Sequence, residues 1–77
     1  MKVRLLIFGQ LTDETGASEL TLEDLTDTDT LRQVLFERYP SLKTKNFTTA
    51  VNNKVISGNT ILTDNSTVAL MPPFSGG

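Results

Sequence analysis

The sequence has 77 residues, of which 38% are hydrophobic and 21% charged, with a net charge of −2 and a pI near 4.8. These values are typical of one globular domain with a small core, and they argue against nucleic acid as a ligand, because its binders cluster Lys and Arg. The sequence contains no cysteine and no histidine. Disulfides, thiolate metal sites, Cys or Ser–His nucleophiles and imidazole acid–base chemistry are therefore excluded within this chain.

The first predicted element is a strand near the N-terminus. Val3, Leu5 and Ile7 recur at every second position, so they share one apolar face that we expect to lie in the core. The opposite face begins charged but becomes apolar at Leu6 and Phe8, which is unusual for a face turned to solvent. No apolar run approaches the roughly 20 residues that span a bilayer, so we expect a cytoplasmic protein without membrane contact.

The next stretch is predicted to form a loop and then a second strand. Residues 9–16 are rich in turn formers, and residues 19–23 place Leu20 and Leu22 on one face. The two strands are expected to pair as an antiparallel hairpin. Seven of the nine acidic residues lie in this part of the chain, either as a solvated face or as a surface that steers a basic partner: Asp13, Glu14, Glu19, Glu23, Asp24, Asp27 and Asp29.

One good helix follows. Asp27 or Thr28 can cap its start, because a short side-chain oxygen accepts a hydrogen bond from a first-turn amide. Pro40 is expected to end the helix, and Phe36 to cover the edge of the core from the flank. The apolar stripe of this helix consists of Leu31, Val34, Leu35 and Tyr39.

The rest of the domain is predicted to be β structure. Residues 47–51 and 54–56 form a hairpin around Asn52-Asn53, because asparagine tolerates the positive φ of tight turns. Residues 61–62 form a short apolar segment, which leaves room for one extra strand. A turn at residues 63–66 precedes a last strand at 67–71. One helix must then cover one sheet, which gives a two-layer α+β domain.

The last six residues differ in composition from the rest of the sequence. Pro72 and Pro73 resist joining a sheet or helix, and Gly76 and Gly77 form a slender end that other dipeptides cannot match. We therefore expect a globular domain at residues 1–71 and a flexible, extended C-terminal tail at 72–77, with a reach of roughly 20 Å. A frayed terminus is the plain alternative.

Three stretches carry a resemblance to a known family: Val3-Arg4-Leu5-Leu6-Ile7-Phe8-Gly9-Gln10, Ala50-Val51-Asn52-Asn53, and residues 62–77 with their Pro-Pro-Phe-Ser-Gly-Gly ending. The chain resembles the ubiquitin-like β-grasp sulfur carriers, and most closely the small subunits of molybdopterin synthase. The resemblance implies a mixed sheet of four to five strands packed on one main helix. Asn65-Ser66 departs from the Gly-Asp often found in relatives, but asparagine also accepts turn geometry.

The resemblance implies a chemistry located at Gly77. An E1-like enzyme would use ATP to convert its carboxylate into an acyl adenylate, and a persulfide donor would replace AMP to give a thiocarboxylate. The large catalytic subunit, in a heterotetramer, would then pass this sulfur to cyclic pyranopterin monophosphate during molybdenum cofactor synthesis. The chain itself would bind no cofactor and no metal, and it would be no enzyme on its own.

The resemblance also implies surfaces that a partner must hold. Leu6 and Phe8 on the first strand are expected to meet Ala69 and Met71 on the last, provided that the strands are neighbours. Phe74 is the expected aromatic anchor within the tail. Gly76, Ser75, Pro73 and Pro72 are expected to thread through the partner's channel. The alternative for Leu6 and Met71 is that loops half-cover them at the sheet edge.

Two other functions remain open. A sulfur carrier of the thiamine pathway shares the fold and the two glycines but usually lacks the Pro72-Pro73-Phe74 lead-in. A ubiquitin-like protein modifier or interaction domain would instead form isopeptide conjugates with lysines of other proteins.

Overall fold

The computed structural model describes residues 2–73. Along the chain it contains strand β1 (Lys2–Ile7), helix α1 (Leu11–Thr15), strand β2 (Glu19–Glu23), helix α2 (Thr28–Arg38), a 3₁₀ helix (Pro40–Thr44), and strands β3 (Thr48–Val51), β4 (Lys54–Val55) and β5 (Ser66–Met71). No helix in this range combines the length and the apolar content needed to cross a membrane.

The five strands form one sheet in the order β2-β1-β5-β3-β4. The central pair, β1 and β5, is parallel, whereas the other neighbours are antiparallel. The expected mixed sheet is therefore confirmed, and so is the expectation that the first and last strands are neighbours. Parallel strands need a crossover connection, and α2 lies in the chain segment that supplies it.

The inner face of the sheet packs on α2. Val3 and Leu5 of β1 are fully buried, as are Leu31 and Leu35 of α2. Each such side chain contributes roughly 1.5–3 kcal/mol by leaving water. The predicted core face of the first strand and the predicted stripe of the helix are both confirmed.

The start of α2 is capped as expected. The Asp27 side chain accepts a hydrogen bond from the Thr30 N–H at 2.9 Å. Asn59 joins this cap: its Oδ1 accepts from the Asp29 N–H at 2.9 Å, and its amide donates to Asp27 Oδ2 at 3.1 Å. The cap therefore ties the helix start to a loop far along the chain.

The other end of α2 and its flank also follow the sequence pattern. The helix stops at Arg38, two residues before Pro40. Phe36 packs against the core from the flank as predicted, with its ring edge-to-face against Phe47 at 6.3 Å. The Arg32 guanidinium lies 5.7 and 5.6 Å from the centres of these two rings.

The prediction of a plain loop at residues 9–16 was wrong, because this stretch contains α1. Leu11 and Thr15, one helical turn apart, are both buried. Gly16 ends the helix in the left-handed region, with φ of 72°, and its N–H donates to the Thr12 carbonyl. A helix this short is stable only through its packing against the rest of the domain, so the sequence pattern of residues 9–16 does not predict it.

The second half of the domain follows the expected order, with β3 and β4 each one residue shorter than predicted and β5 one residue longer. Asn52 and Asn53 have φ of 49° and 71°, which confirms the tight turn between β3 and β4. The 3₁₀ helix after Pro40 was not predicted. Ile61 forms only a single bridge to Asp27 rather than a further strand.

Candidate partner-binding face and base of the C-terminal arm

The face of the sheet turned away from α2, called the outer face below, carries a continuous row of apolar side chains. Leu6 on β1 lies opposite Ala69 on β5, and Ala69 lies opposite Ala50 on β3. Ala50 in turn lies opposite Val55 on β4. Directly paired residues point to the same side of a sheet, so this row crosses four adjacent strands.

A second apolar row runs beside the first. Phe8 and Met71 are the residues that follow the pair Ile7 and Leu70, and the Phe8 N–H donates to the Leu70 carbonyl at 3.0 Å. Phe8 is 47% exposed, whereas Met71 is half-buried. The structure therefore places Leu6, Phe8, Ala69 and Met71 together in one patch in the middle of the sheet, so Leu6 and Met71 are not at its edges.

Sequence reasoning missed two members of the outer face, Ala50 and Val55. Val55 is 65% exposed and extends the apolar surface to the edge strand, whereas Ala50 is almost fully covered. The signal was available: a two-residue turn at Asn52-Asn53 pairs the residues on either side in a fixed register. That register places Val55 opposite Ala50.

An ion pair borders the apolar rows at the β2 edge. Arg4 Nε and Nη2 donate to the two Glu19 carboxylate oxygens at 3.0 and 3.1 Å. This hydrogen bonding, reinforced by charge attraction, raises the pKa of Arg4 and lowers that of Glu19, although desolvation opposes both shifts. Both side chains remain about half exposed, so the pair marks a polar rim and contributes little stability.

The C-terminal tail at residues 72–77, called the arm below, begins immediately after β5. Pro72 and Pro73 follow β5 and are exposed. The Pro72 ring lies over Gly9, the residue that follows Phe8: a Cβ at Gly9 would lie 2.7 Å from Pro72 Cγ. The four predicted site residues that follow, Phe74, Ser75, Gly76 and Gly77, lie outside the described residues.

A small cleft of about 200 Å³ opens beside the base of the arm, lined by the two prolines, α1 and the residues after the 3₁₀ helix. Glu14 on α1 accepts a hydrogen bond from Ser41 Oγ at 2.6 Å and lies 3.4 Å from Lys45 Nζ. The hydrogen bond from Ser41, followed by that from Lys45, lowers the pKa of Glu14 against the effect of desolvation. The polar groups of the cleft thus connect α1 to the 3₁₀ helix.

A larger cleft, of about 540 Å³, lies at the start of α2 beside β3 and β4. Its Asn59 amide is engaged in capping the helix, and its Arg32 stacks on Phe36 and Phe47. Within residues 2–73, no group of three or more acidic side chains is placed to hold a metal ion. The described structure therefore offers an apolar outer face and two exposed prolines that follow β5.

A five-stranded mixed sheet, with one main helix against its inner face and an apolar outer face, defines a ubiquitin-like β-grasp domain. Comparison with solved structures supports this class. The small archaeal modifier protein 1 of Methanosarcina acetivorans superposes with a TM-score of 0.82 at 23% identity, covering 99% of this chain and 96% of that one.

Sequence comparison gives the family. The model of the ThiS family matches residues 5–77, and the chain belongs to that family. The molybdopterin synthase sulfur carrier subunit of Mycobacterium tuberculosis is 33% identical over 82 residues, which covers 100% of this chain and 99% of the relative. The resemblance noted in the sequence is therefore confirmed.

One related structure contains a complex. It is the protein–protein complex of subunits 1 and 2 of the molybdopterin-converting factor of Helicobacter pylori. Its matching chain is 29% identical to this one, with a TM-score of 0.78 and full coverage of both chains.

Proposed function

We propose that this protein is the sulfur carrier subunit of a molybdopterin synthase. The observation that carries the proposal is a ThiS family match extending through Gly77 in a chain without a single cysteine. Without a thiol, the chain has no side chain on which sulfur can be carried as a persulfide or thioester. Its carrier group is then the terminal carboxylate of Gly77.

The proposed chemistry begins with activation. A carboxylate is resonance-stabilised and unreactive, so an E1-like enzyme joins a Gly77 carboxylate oxygen to the α-phosphate of ATP, with release of pyrophosphate. The outer sulfur of a persulfide donor then attacks the acyl carbon and AMP leaves, which gives an acyl disulfide. A second thiol attacks the donor's own sulfur in this acyl disulfide and forms a new disulfide with it, so that the transferred sulfur remains on Gly77 as a thiocarboxylate. The resulting thiocarboxylate is ionised at neutral pH and is a softer nucleophile than the carboxylate.

The partner of the loaded carrier is proposed to be the large catalytic subunit, in a heterotetramer. It transfers the sulfur to cyclic pyranopterin monophosphate, one carrier for each sulfur of the dithiolene. The similarity to a chain in the complex of subunits 1 and 2 of the Helicobacter pylori factor supports a partner of this kind. The outer face, apolar across four strands, is the surface that we propose it holds.

In the proposed scheme, this chain contributes the reacting terminus and its partners contribute the catalytic groups. Residues 2–73 present no candidate metal site, and the full sequence has no histidine or cysteine for acid–base or nucleophilic work. Gly77 is the only reacting residue in this scheme, and Gly76 gives clearance for a narrow channel. The catalytic groups belong to the two partner enzymes.

The test is the intact mass of the protein after incubation with ATP, a molybdopterin-type E1-like enzyme and a sulfur source. A gain of about 16 Da is expected, because sulfur replaces one oxygen. A variant without Gly77 is the matched control and should not gain this mass. Absence of the gain in the unaltered protein, with an activating enzyme competent on its own carrier, contradicts the proposal.

A protein modifier is the second candidate, since the fold is shared with a small archaeal modifier protein. The fold alone does not separate the two functions. Isopeptide conjugates of Gly77 with lysines of other proteins would favour the modifier. A thiocarboxylate consumed only by the thiamine-pathway enzyme would instead favour that pathway.

A further inference from the structure

We infer that Gly9 is a positioning residue, which sets the direction in which the C-terminal arm leaves the domain by leaving space for the Pro72 ring. An ideal Cβ at Gly9 would lie 2.7 Å from Pro72 Cγ and 3.3 Å from Pro72 Cδ. Real Cβ atoms essentially never approach another heavy atom as closely as 2.7 Å, so with any side chain at position 9 either the Pro72 ring or Gly9 must shift.

Backbone conformation alone does not require glycine at position 9. Gly9 has φ of 61°, but Asp24, Asn52, Asn53 and Asn65 also have positive φ in this chain. These positions show that the fold accommodates residues with a Cβ in left-handed backbone. What distinguishes Gly9 is the proline ring in the space that its side chain would occupy.

Gly9 is itself held in place from both sides. The N–H of the preceding residue, Phe8, donates to the Leu70 carbonyl at 3.0 Å, which fixes it to β5. The Gly9 carbonyl accepts from the Thr12 N–H at 3.2 Å and from Thr12 Oγ1 at 2.9 Å, which fixes it to α1. A clash at this point is therefore relieved by movement of Pro72 rather than of Gly9.

Movement of Pro72 changes the direction in which the chain leaves the domain at Pro73. Two consecutive prolines hold their φ near −65°. Rotation about φ of Pro73 therefore cannot compensate for a change in the orientation of Pro72. The five residues after Pro72 can reach at most about 18 Å. A rotation of about 20° at the base then moves the far end by about 6 Å at that length.

This inference rests on the proposed function only for the consequence of misdirection. Two partner enzymes must receive Gly77 in their active sites, and a misplacement of about 1 Å can cost a hundredfold in rate. The contact between Gly9 and Pro72 would therefore influence activation and transfer without touching either reaction centre.

The experiment uses Gly9→Ala with Gly16→Ala as its matched control. Gly16 has φ of 72° but nothing within 4 Å of its Cβ position, so this control imposes the backbone strain without the clash. Each substitution is also made together with Pro72→Ala, which removes the ring atoms Cγ and Cδ. The effect of Gly9→Ala is then compared in the presence and in the absence of the Pro72 ring. The difference between the two effects measures the clash, because the backbone strain is the same in both.

The first readout does not depend on function. The chain has no cysteine, so a single Asn46→Cys change at the rim of the cleft takes a nitroxide label at one site. Gly9→Ala should change the paramagnetic broadening of the Gly76 and Gly77 amides, whereas Gly16→Ala should not. In the Pro72→Ala background, Gly9→Ala should produce no further change. Equal patterns for the two alanine variants would overturn the inference.

The second readout is kinetic. Gly9→Ala should lower the kcat of thiocarboxylate formation at least about tenfold with little change in KM, because the domain is still bound but its arm is misdirected. Gly16→Ala should change neither constant. If the unaltered protein gains no thiocarboxylate, the proposed function fails, but the labelling experiment still decides the role of Gly9. An unchanged kcat for Gly9→Ala in an active system overturns the inference.

Discussion

Leu6 and Ala69 lie directly opposite each other on the outer face, where the parallel strands β1 and β5 meet at the centre of the sheet. The same row continues through Ala50 to Val55 at the edge strand. Because the pairing is continuous, the apolar surface extends beyond the four residues that the sequence suggested. Its outermost member offers a clean test of whether a partner covers the whole row.

Val55→Ser should weaken binding of the large subunit by about 1 kcal/mol or more if the partner covers β4. Val55 is 65% exposed, so the change should have little effect on folding. Ile61→Ser is the matched control, because Ile61 is 72% exposed but lies beside the start of α2 rather than on the outer face. Titration calorimetry measures the affinity of both variants, and equal affinities would exclude β4 from the interface.

Phe74→Ala should weaken the same complex by more than about 1 kcal/mol if the aromatic ring anchors the arm. Ser75→Ala is the neighbouring control and should have a smaller effect, since it removes only a hydroxyl group. Affinity that is unchanged by the loss of the Phe74 ring would remove this residue from the binding site.

Asn59→Ala should destabilise the domain by about 1–2 kcal/mol, because it removes hydrogen bonds to the Asp29 N–H and to the Asp27 carboxylate at once. The midpoint of urea denaturation reports this change. Asn46→Ala is the control, because Asn46 is an exposed asparagine outside the helix cap. Similar midpoints for the two variants would show that the cap does not need the Asn59 amide.

Acid should weaken the same cap through Asp27. Hydrogen bonds from the Thr30 side chain and backbone, and then from Asn59, lower the pKa of Asp27, against desolvation. A lowered pKa in the folded state means that the stabilisation is present above the unfolded value, near 3.9, and is lost as the pH falls through the folded value.

The comparison is between the unaltered protein and Asp27→Asn, in urea at pH values from about 6 to 3. The unaltered protein should lose more stability across this range, because the variant has no carboxylate at position 27 to protonate. Glu14 and Glu19 also have lowered pKa values, so their protonation lowers the free energy of unfolding as well. This loss is the same in both proteins and cancels in the comparison. Parallel curves would show that Asp27 makes no contribution to the acid sensitivity.

The regular elements of this fold could be predicted because their signals are local. Alternation fixed the inward face of Val3, Leu5 and Ile7, and Asp27 together with Pro40 bounded the main helix. The two-residue turn at Asn52-Asn53 also determines which residues of β3 and β4 pair, and this pairing places Val55 on the outer face. These features depend on residues that are close together in the sequence.

The remaining features depend on contacts between distant residues. Helix α1 has only five residues and is held by Leu11 in the core and by Glu14 against Ser41. Gly9 looks like an ordinary turn residue until β5 brings Pro72 over it. Neither the contact of α1 with Ser41 nor that of Gly9 with Pro72 can be predicted from periodicity or capping patterns, because both join residues that only the folded chain brings together.

The position of β5 between β1 and β3 has a consequence for newly made protein. Synthesis proceeds from the N-terminus, so the strand that completes the middle of the sheet leaves the ribosome after the other four strands. A nascent or truncated chain that has not yet inserted β5 has neither a continuous outer face nor a fixed departure point for the arm. A partner that recognises both features would therefore bind finished molecules rather than immature ones.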